Sequence, residues 1–196
     1  MKILQFNCTS IRNKVTNLEQ YLHLNEICIG CLSETFLSPQ ENLKIKNYEI
    51  LRSDRASNKG GGVAISVKKD LDFKKFSFIS RFGSIEVCAC EVASSSGDLA
   101  IFSFYILPRS NFTASALNNI LSITSCRSIV LCGDFNAHNV SWGSRETDLR
   151  SRILMKFIDD NYLFLLNTGI PTYIGSSLSC IDVSLCSTNL GLIRKE

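Results

Sequence analysis

The apolar residues of this chain fall into short continuous runs, separated by polar turns and by stripes with helical spacing. The runs predict strands at KILQFN, ICIGCL, GVAISVKK, IEVCACEV, LAIFSFYIL, SIVLCG, LFLLN and IDVSL. Three stripes predict helices: Ile11, Val15, Leu18 and Leu22; residues 112–124; and Leu149, Ile153, Phe157 and Ile158. Ser10 precedes the first stripe and could cap that helix.

The order of these elements argues against a doubly wound parallel sheet. IEVCACEV and LAIFSFYIL are joined only by SSSGD, which is typical of antiparallel neighbours, so strict alternation of strand and helix fails there. We expect an α/β chain of the α+β type, with two sheets packed on each other and helices outside. The length of 196 residues suits one core, so residues 1–196 are predicted to form a single domain.

The composition indicates whether the protein is membrane-bound or secreted and in which redox compartment it folds. Apolar residues make up 45% of the chain, yet no apolar run approaches the roughly 18 residues of a membrane helix. The N-terminus lacks the apolar core of a signal peptide. Nine cysteines, an odd number, lie mostly inside apolar runs, which predicts buried free thiols in a reducing compartment rather than a disulfide framework. We expect an intracellular protein, monomeric and without a membrane partner.

Basic residues are concentrated between residues 41 and 81. That segment carries ten lysines and arginines against five acids, whereas the formal net charge of the whole chain is only +3. A basic face beside an acidic cavity would suit an enzyme that holds a polyanion together with a metal ion. A solvated surface explains the charge equally well.

Polar side chains follow the predicted strands at the point where each strand ends. They are Asn7, Glu34 (after Ser33), Tyr105 and Asp134 (followed by Asn136). Asp182 instead begins its strand, and it would reach the same edge if that strand runs antiparallel to the others. Any one of these placements is usual for a turn, but five at one edge indicate a functional site.

Oxygen-donating side chains of this kind suit a hard divalent cation. Magnesium takes one or two carboxylates together with waters and phosphate oxygens. Glu34 is the best candidate ligand, with Asn7 orienting it or binding through water, and Asp134 could deprotonate an attacking water. Asn136 and Tyr105 could donate hydrogen bonds to oxygens that gain charge in the transition state. The set predicts hydrolysis of a phosphodiester.

Several segments resemble motifs of the endonuclease/exonuclease/phosphatase superfamily, in the order of that family. They are ILQFN, LSET, GDFN, CID and the tyrosine segment, although YILP stands where YxPP or YxPN is usual. GDFNAHNVSWGS, RSDRASNKGGGVAISVKK and PTYIGSSLSCID are similar to segments of non-LTR, jockey-like retrotransposon endonucleases. The resemblance implies a four-layered sandwich, Mg²⁺ (or Mn²⁺) as cofactor, and nicking of nuclear double-stranded DNA to prime a downstream reverse transcriptase.

The resemblance also assigns roles to residues. Glu34 and Asn7 would bind the metal, Asp134 would activate water, Asn136 would contact the scissile phosphate and Tyr105 would stabilise it. Asp182 would orient a histidine. DNA contacts are expected from five further residues, namely Arg109, His138, Trp142, Thr172 and Ser179. A core position for Trp142 and a surface salt bridge for Arg109 stay open as alternatives.

The family's terminal SDH motif has no counterpart before Glu196. His138 matches the NAH position instead, and His23 is expected to pack or face solvent on the first helix. We therefore expect a domain that lacks its last strand or strands, with little or no nuclease activity in this chain. The alternatives are a catalytically inactive transposon-derived fragment that binds DNA, or an abasic-site nuclease or phosphatase of the same fold.

Overall fold

The computed structural model describes residues 1–55, 60–76, 81–94, 97–174 and 178–191. Within these ranges the strands are β1 (Ile3–Asn7), β2 (Ile29–Ser33), β3 (Tyr48–Ser53), β4 (Val63–Lys68), β5 (Phe73–Lys75), β6 (Arg81–Phe82), β7 (Ile85–Val92), β8 (Leu99–Ile106), β9 (Ser128–Asp134), β10 (Leu163–Leu165), β11 (Tyr173–Ile174), β12 (Leu178–Ser179) and β13 (Asp182–Ser187). The helices are α1 (Val15–Leu24), α2 (Ala114–Leu121), α3 (Leu149–Asp160) and the short α4 (Thr188–Gly191).

The strands form two main sheets that each mix parallel and antiparallel pairs. The smaller sheet has the order β1-β2-β4-β3, and β1 and β2 form its parallel pair. The larger sheet has the order β10-β13-β9-β8-β7-β5, in which β8 and β9 run parallel and β7 and β8 antiparallel. A two-stranded ribbon, β11 with β12, lies apart from both sheets. The expected antiparallel pairing of IEVCACEV with LAIFSFYIL is confirmed.

Three clusters of buried side chains show how the layers stack. One joins the two sheets, including Cys31 and Val63 of the smaller sheet with Ile101 and Cys132 of the larger one. A second packs α2 and α3 on the outer face of the larger sheet, and a third packs α1 on the smaller sheet. The predicted four-layered sandwich, helices outside and sheets inside, is confirmed. Among the described residues no helix is long and apolar enough to span a membrane.

The first helix begins later than the apolar stripe predicts. Its N-cap is Lys14, whereas Ser10 has a left-handed backbone with φ of 73° and caps nothing. The Ser10 N–H donates instead to the Glu34 carbonyl at 2.9 Å, and the Ile11 N–H to the Thr35 carbonyl at 3.1 Å. The prediction for Ser10 was wrong because the chain after β1 bonds to the segment after β2 before it turns into the helix.

The nine cysteines are all free, as expected. Cys31, on β2, and Cys132, on β9, belong to the cluster between the sheets together with Cys88, Cys90 and Cys186. Burial raises the pKa of the Cys88 and Cys90 thiols to about 12. The thiols therefore act as small apolar side chains of the inter-sheet core.

Candidate active site

Strand pairing brings the predicted residues to one edge of the sandwich. In the parallel pair β1 and β2, Asn7 lies opposite Ser33, directly before Glu34. In the parallel pair β8 and β9, Tyr105 lies opposite Asp134. Strand β13 runs antiparallel to β9, which sets Asp182 opposite Asp134. The predicted direction of the Asp182 strand is confirmed, and the ends of both sheets meet here.

A cavity of about 650 Å³ opens at this edge. It is lined by Asn7, Thr9, Glu34, Asp134, Asn136, His138, Thr172, Tyr173, Ser179, Ile181 and Asp182. Tyr105 adjoins it through a side-chain hydrogen bond with Glu34. Eight of the eleven predicted residues therefore line this cavity, and Tyr105 adjoins it, whereas Arg109 and Trp142 do not line it.

Glu34 sits on a backbone that is strained for a side-chain-bearing residue. Its φ is 52°, and that of Phe36 is 56°. Hydrogen bonds hold this turn from both sides: the Glu34 carbonyl accepts from the Ser10 N–H, and the Thr35 N–H donates to the Gly62 carbonyl at 3.1 Å. Left-handed geometry of this kind persists only where surrounding contacts fix it, which is common at functional sites.

Asp134 is buried, and both of its carboxylate oxygens accept hydrogen bonds. One carboxylate oxygen accepts from the Asn7 side-chain amide at 2.9 Å and the other from the Asn136 backbone N–H at 2.9 Å. The side-chain amide of Asn136 donates to the Ile106 carbonyl at 3.0 Å, so it is anchored to the end of β8 while still facing the cavity. The amides of Asn7 and Asn136 therefore set the position of the Asp134 carboxylate.

Asp182 is held by a residue that the sequence did not single out. Its carboxylate accepts from the Gln5 side chain at 2.8 Å, and its N–H donates to the Thr172 hydroxyl at 3.2 Å. Gln5 precedes Asn7 by two positions on β1, so both side chains point to the same face of the strand. The alternation of side chains along the strand, with a period of two residues, is the sequence signal that could have placed Gln5 beside Asn7.

Burial raises the pKa of all three carboxyl groups in the cavity, and neighbouring carboxylates add to the shift for Asp134 and Glu34. Burial, reinforced by the charge of Asp182, raises the pKa of Asp134 to about 8. Burial also raises the pKa of Asp182. The pKa of Glu34 is raised by burial, while the Tyr105 hydroxyl and the Asn7 amide act in the opposite direction. The site therefore concentrates negative charge that only a cation or bound protons can compensate.

Arg150 is a second residue that the sequence did not reveal. From the first turn of α3 it donates to the carbonyls of Asn136, at 2.6 Å, of Phe135, at 2.9 Å, and of Ser110. Its guanidinium also lies 5.1 Å from the centre of the Phe112 ring. Arg150 thus ties the loop that follows β9 to the chain after β8, behind the cavity.

Comparison with known proteins agrees with this architecture. Residues 99–196 match a family model described as endonuclease-reverse transcriptase. The chain belongs to this family. It is 30% identical over 193 residues to a probable RNA-directed DNA polymerase from transposon BS of Drosophila melanogaster, an alignment that covers 94% of the chain and 21% of the relative. The chain thus spans about a fifth of the length of that curated relative.

Solved structures show the same fold. The endonuclease domain of TRAS1, a telomere-specific non-LTR retrotransposon, superposes with a TM-score of 0.79 at 21% identity, covering 95% of this chain and 84% of that one. An AP endonuclease from Leishmania major superposes with a TM-score of 0.76 at 12% identity, covering 97% and 80%. As a member of the endonuclease-reverse transcriptase family, the chain carries the fold of hydrolases of the nuclease type.

The family implies a divalent cation, and the residues at the cavity fit one. Within the described residues, no group of three or more His, Cys, Asp and Glu side chains is placed to hold a metal ion. Magnesium does not require three such ligands, because it takes one or two carboxylates and keeps waters. Glu34 offers a half-buried carboxylate beside the Asn7 amide, and burial together with the neighbouring acids raises the pKa of Glu34 and of Asp134, so a bound cation would favour their charged forms.

Two expected DNA contacts lie away from the cavity. Trp142 is fully buried, and its indole N–H donates to the Ala137 carbonyl at 3.2 Å, so the expected contact with DNA was wrong and the core alternative is confirmed. Arg109 is exposed, with φ of 56°, and does not line the cavity. The described residues contain no ion pair to Arg109, so the salt-bridge alternative is not seen either.

Several lysines of the basic stretch lie at the end of the smaller sheet that is opposite to the site. Lys68 ends β4 opposite Tyr48, whereas the site lies at the other end, where Val63 pairs with Ser33. Lys44, Lys46 and Lys69 line a separate surface pocket at the Lys68 end. The hypothesis of a basic face beside the acidic cavity was therefore wrong for these lysines, and the alternative of a solvated surface fits them. Lys59 lies outside the described residues.

His23 is exposed and contacts the Tyr48 ring edge-on at 5.6 Å.

Proposed function

We propose that this chain is the endonuclease domain of a non-LTR retrotransposon protein and that it nicks double-stranded DNA with the help of Mg²⁺, or Mn²⁺ in its place. The 3′ hydroxyl released at the nick would prime a reverse transcriptase further along the same protein, so the domain would act on DNA in the nucleus. The proposal rests above all on one observation: Glu34, Asp134 and Asp182, from three separate strands, share a single cavity with Asn7 and Asn136.

Each residue has a defined task in this proposal. Glu34 and Asn7 would hold the cation, which when bound neutralises charge on the phosphate and on the departing oxygen. Asp134 would take a proton from the attacking water, and its raised pKa of about 8 makes its charged form a stronger base than an ordinary carboxylate. Asn136 and Tyr105 would donate hydrogen bonds to phosphate oxygens as their charge grows.

The reaction balances without any further reactant. The water oxygen forms a bond to phosphorus, the bond from phosphorus to the 3′ oxygen breaks, and Asp134 receives the proton of the water. The 3′ oxygen takes a proton from solvent and leaves as the hydroxyl, Asp134 releases its proton to solvent, and the other product carries a 5′ phosphate. Asp182, tied to Gln5 and Thr172, supports the Asp134 side of the cavity by its position opposite Asp134.

His138, Thr172 and Ser179 line the same cavity and are our candidates for substrate contacts. Thr172 and Ser179 also join β11 and β12, because the Thr172 N–H donates to the Ser179 carbonyl at 3.1 Å. Tyr173, half exposed on the same ribbon, adds an aromatic surface at the rim. A ribbon of this kind at the mouth of an acidic cavity suits contact with a nucleic acid backbone on one side of the scissile bond.

Nicking of supercoiled plasmid under protein excess tests the proposal. We expect slow conversion to the open circle that needs Mg²⁺, stops with EDTA, and is lost in Glu34→Ala and Asp134→Asn. Glu49→Ala, at an exposed position of β3, is the matched control and should nick like the parent. Nicking that persists in Glu34→Ala would overturn the proposal. Binding of DNA that weakens steeply with salt, without any nicking, would favour the alternative of an inactive DNA-binding domain.

A further inference from the structure

The most deeply buried ion pair among the described residues lies directly behind Glu34. Arg55, after β3 of the smaller sheet, donates from Nε to a carboxylate oxygen of Glu86, on β7 of the larger sheet, at 2.6 Å. The two side chains are only 9% and 4% exposed. Removing two charges from water costs about as much free energy as their attraction returns, so a gain in stability does not explain why the pair is present. The pair connects the two sheets at the site edge.

On one side, the pair meets Tyr105. Glu86 and Tyr105 are direct partners in the antiparallel pairing of β7 with β8, and the Arg55 guanidinium lies 5.9 Å from the centre of the Tyr105 ring. Its positive charge also acts on Glu34. The Nη2 atom of Arg55 is buried and has no hydrogen-bond partner within the described part of the chain. Arg55 thus faces the Tyr105 and Glu34 pair from inside the sandwich.

On the other side, the pair holds the turn that carries Glu34. The second carboxylate oxygen of Glu86 accepts from the Gly62 N–H at 2.7 Å. The carbonyls of Gly61 and Gly62 in turn accept from the N–H groups of Phe36, at 2.9 Å, and Thr35, at 3.1 Å. These are the two residues that follow Glu34, whose backbone is strained. Glu86 therefore reaches the Glu34 turn through a single glycine.

The glycines at this point leave no room for side chains. A Cβ on Gly61 would lie 2.2 Å from Arg55 Nη2, and a Cβ on Gly62 would lie 2.6 Å from the Thr35 hydroxyl. Both glycines also have left-handed backbones, with φ of 71° and 84°. The close approach lets the backbone of the turn touch the ion pair directly, so a shift of the pair would be passed on to Glu34.

We propose that Arg55 and Glu86 are positioning residues that fix Glu34 and Tyr105 in the arrangement that binds the divalent cation. The inference rests on the proposed function in one respect, namely that Glu34 is the ligand of the cation. Neither residue lines the cavity. Their effect passes through the Gly62 N–H to the Glu34 turn, and through the face of the Tyr105 ring to its hydroxyl.

An effect of the ion pair through its electric field and an effect through the position of Glu34 predict different changes in cation affinity, so an experiment can distinguish them. If the pair acted only through its electric field, loss of the Arg55 charge would strengthen cation binding and loss of the Glu86 charge would weaken it. If the pair positions Glu34, both losses weaken binding. Arg55→Lys keeps the charge but replaces the planar fork by a single ammonium group, so it separates the two effects a second time.

The experiment is a titration of the 196-residue chain with Mn²⁺, followed by electron paramagnetic resonance. We expect Arg55→Gln and Glu86→Gln each to weaken Mn²⁺ binding by about tenfold, and Arg55→Lys by a smaller factor, since positioning losses of this size are typical for the outer shell of a metal site. Arg12→Gln, which breaks the exposed pair with Glu41, is the matched control and should bind as the parent does. Circular dichroism confirms the fold of each variant.

Opposite changes in Arg55→Gln and Glu86→Gln, or the affinity of the parent in both, would overturn the inference. If these variants do not fold, Arg55→Lys decides alone: weaker binding supports positioning, and the affinity of the parent overturns it. The outcome is separable from the proposed function. A chain that binds Mn²⁺ through Glu34 but never nicks DNA contradicts the proposed nicking and leaves the positioning readout intact.

Discussion

Asp134 and Asp182 lie directly opposite each other where the antiparallel strands β9 and β13 meet the cavity, so the last residue of one strand is paired with the first residue of the other. Both are buried, with 1% and 5% of their surfaces exposed. Each carboxylate is anchored by a different amide of β1, Asp134 by Asn7 and Asp182 by Gln5. Strand β1 of the smaller sheet therefore sets the geometry of two acids of the larger sheet.

This pairing predicts that, in the absence of metal, stability falls as the pH rises from about 4 to 8. Burial raises the pKa of Asp134 from 3.8 to about 8, so folding favours the protonated carboxyl. That stabilisation is complete below pH 4 and is lost as the pH rises through 8. In EDTA the free energy of unfolding should fall on the order of 3 kcal/mol between pH 5 and pH 8.

Asp134→Asn should flatten this profile, because it removes the titrating group while keeping the shape of the side chain. Asp159→Asn, at an exposed position of α3, is the control and should retain the slope of the parent. Urea unfolding at both pH values, followed by circular dichroism, measures the difference. An unchanged slope in Asp134→Asn would show that another group causes the pH dependence.

Cation binding should stabilise the folded chain through Glu34. Because the unfolded chain lacks the site, Mn²⁺ at about 100 times its dissociation constant adds about 2.7 kcal/mol to the free energy of unfolding. Differential scanning fluorimetry should show a rise in melting temperature with Mn²⁺ that is absent in Glu34→Ala and present in Glu49→Ala. A rise of the same size in Glu34→Ala would place the cation elsewhere.

Gly133, before Asp134, should tolerate no side chain. A Cβ there would lie 2.1 Å from the backbone carbonyl oxygen of Phe104, on the neighbouring parallel strand, which has no freedom to move aside. We expect Gly133→Ala to cost about 3 kcal/mol or to prevent folding. Gly83→Ala is the control: open space surrounds it, and only its φ of 64° disfavours alanine, at about 1 kcal/mol. Equal losses in the two variants, measured by urea unfolding, would contradict the steric argument.

Arg150 should matter to stability and nicking together. Arg150→Met removes the donors that hold the Asn136 and Phe135 carbonyls, which we expect to cost about 3 kcal/mol. Any nicking activity should fall as well, because the loop carrying Asn136 loses its anchor. Arg152→Met, one half-turn away on the exposed face of α3, serves as control. If the two variants unfold at the same urea concentration, the carbonyl contacts contribute nothing.

Trp142 should behave as a core residue. Trp142→Phe leaves a void and strands the Ala137 carbonyl, so we expect a loss of about 2–3 kcal/mol in stability. DNA affinity of the folded protein should not change, because the indole is fully buried. Fluorescence anisotropy of a labelled duplex, at several salt concentrations, checks this. Weaker DNA binding by a fully folded variant would return Trp142 to the interface.

The sequence predicted the site better than it predicted the sheet edges. Asn7, Glu34, Tyr105 and Asp134 each follow an apolar strand, and apolar runs are the strongest local signal, so their common edge could be expected. Strand β3 was missed because Glu49 and Arg52 interrupt its apolar residues, as is usual for a strand at the edge of a sheet. Short strands such as β5 depend on their partner and carry little signal of their own.

The partners of the site could not be found from the sequence for a physical reason. Gln5 meets Asp182 from 177 positions away, and Arg55 meets Glu86 across 31. Nothing in the local pattern distinguishes Arg150, which is half-buried, from Arg152, which is exposed. Trp142 was equally ambiguous, because a lone aromatic side chain in a polar loop can either cover a core or face a ligand.

The reactivity of the buried thiols between the sheets can report how often the two sheets separate. Cys31, Cys88, Cys90, Cys132 and Cys186 contribute to one layer that solvent reaches only when the two sheets part. A maleimide reagent would therefore label them at a rate set by separation of the layers, with no probe engineered into the chain. Slower labelling in the presence of Mn²⁺ would show that an ion at the rim holds the whole sandwich shut.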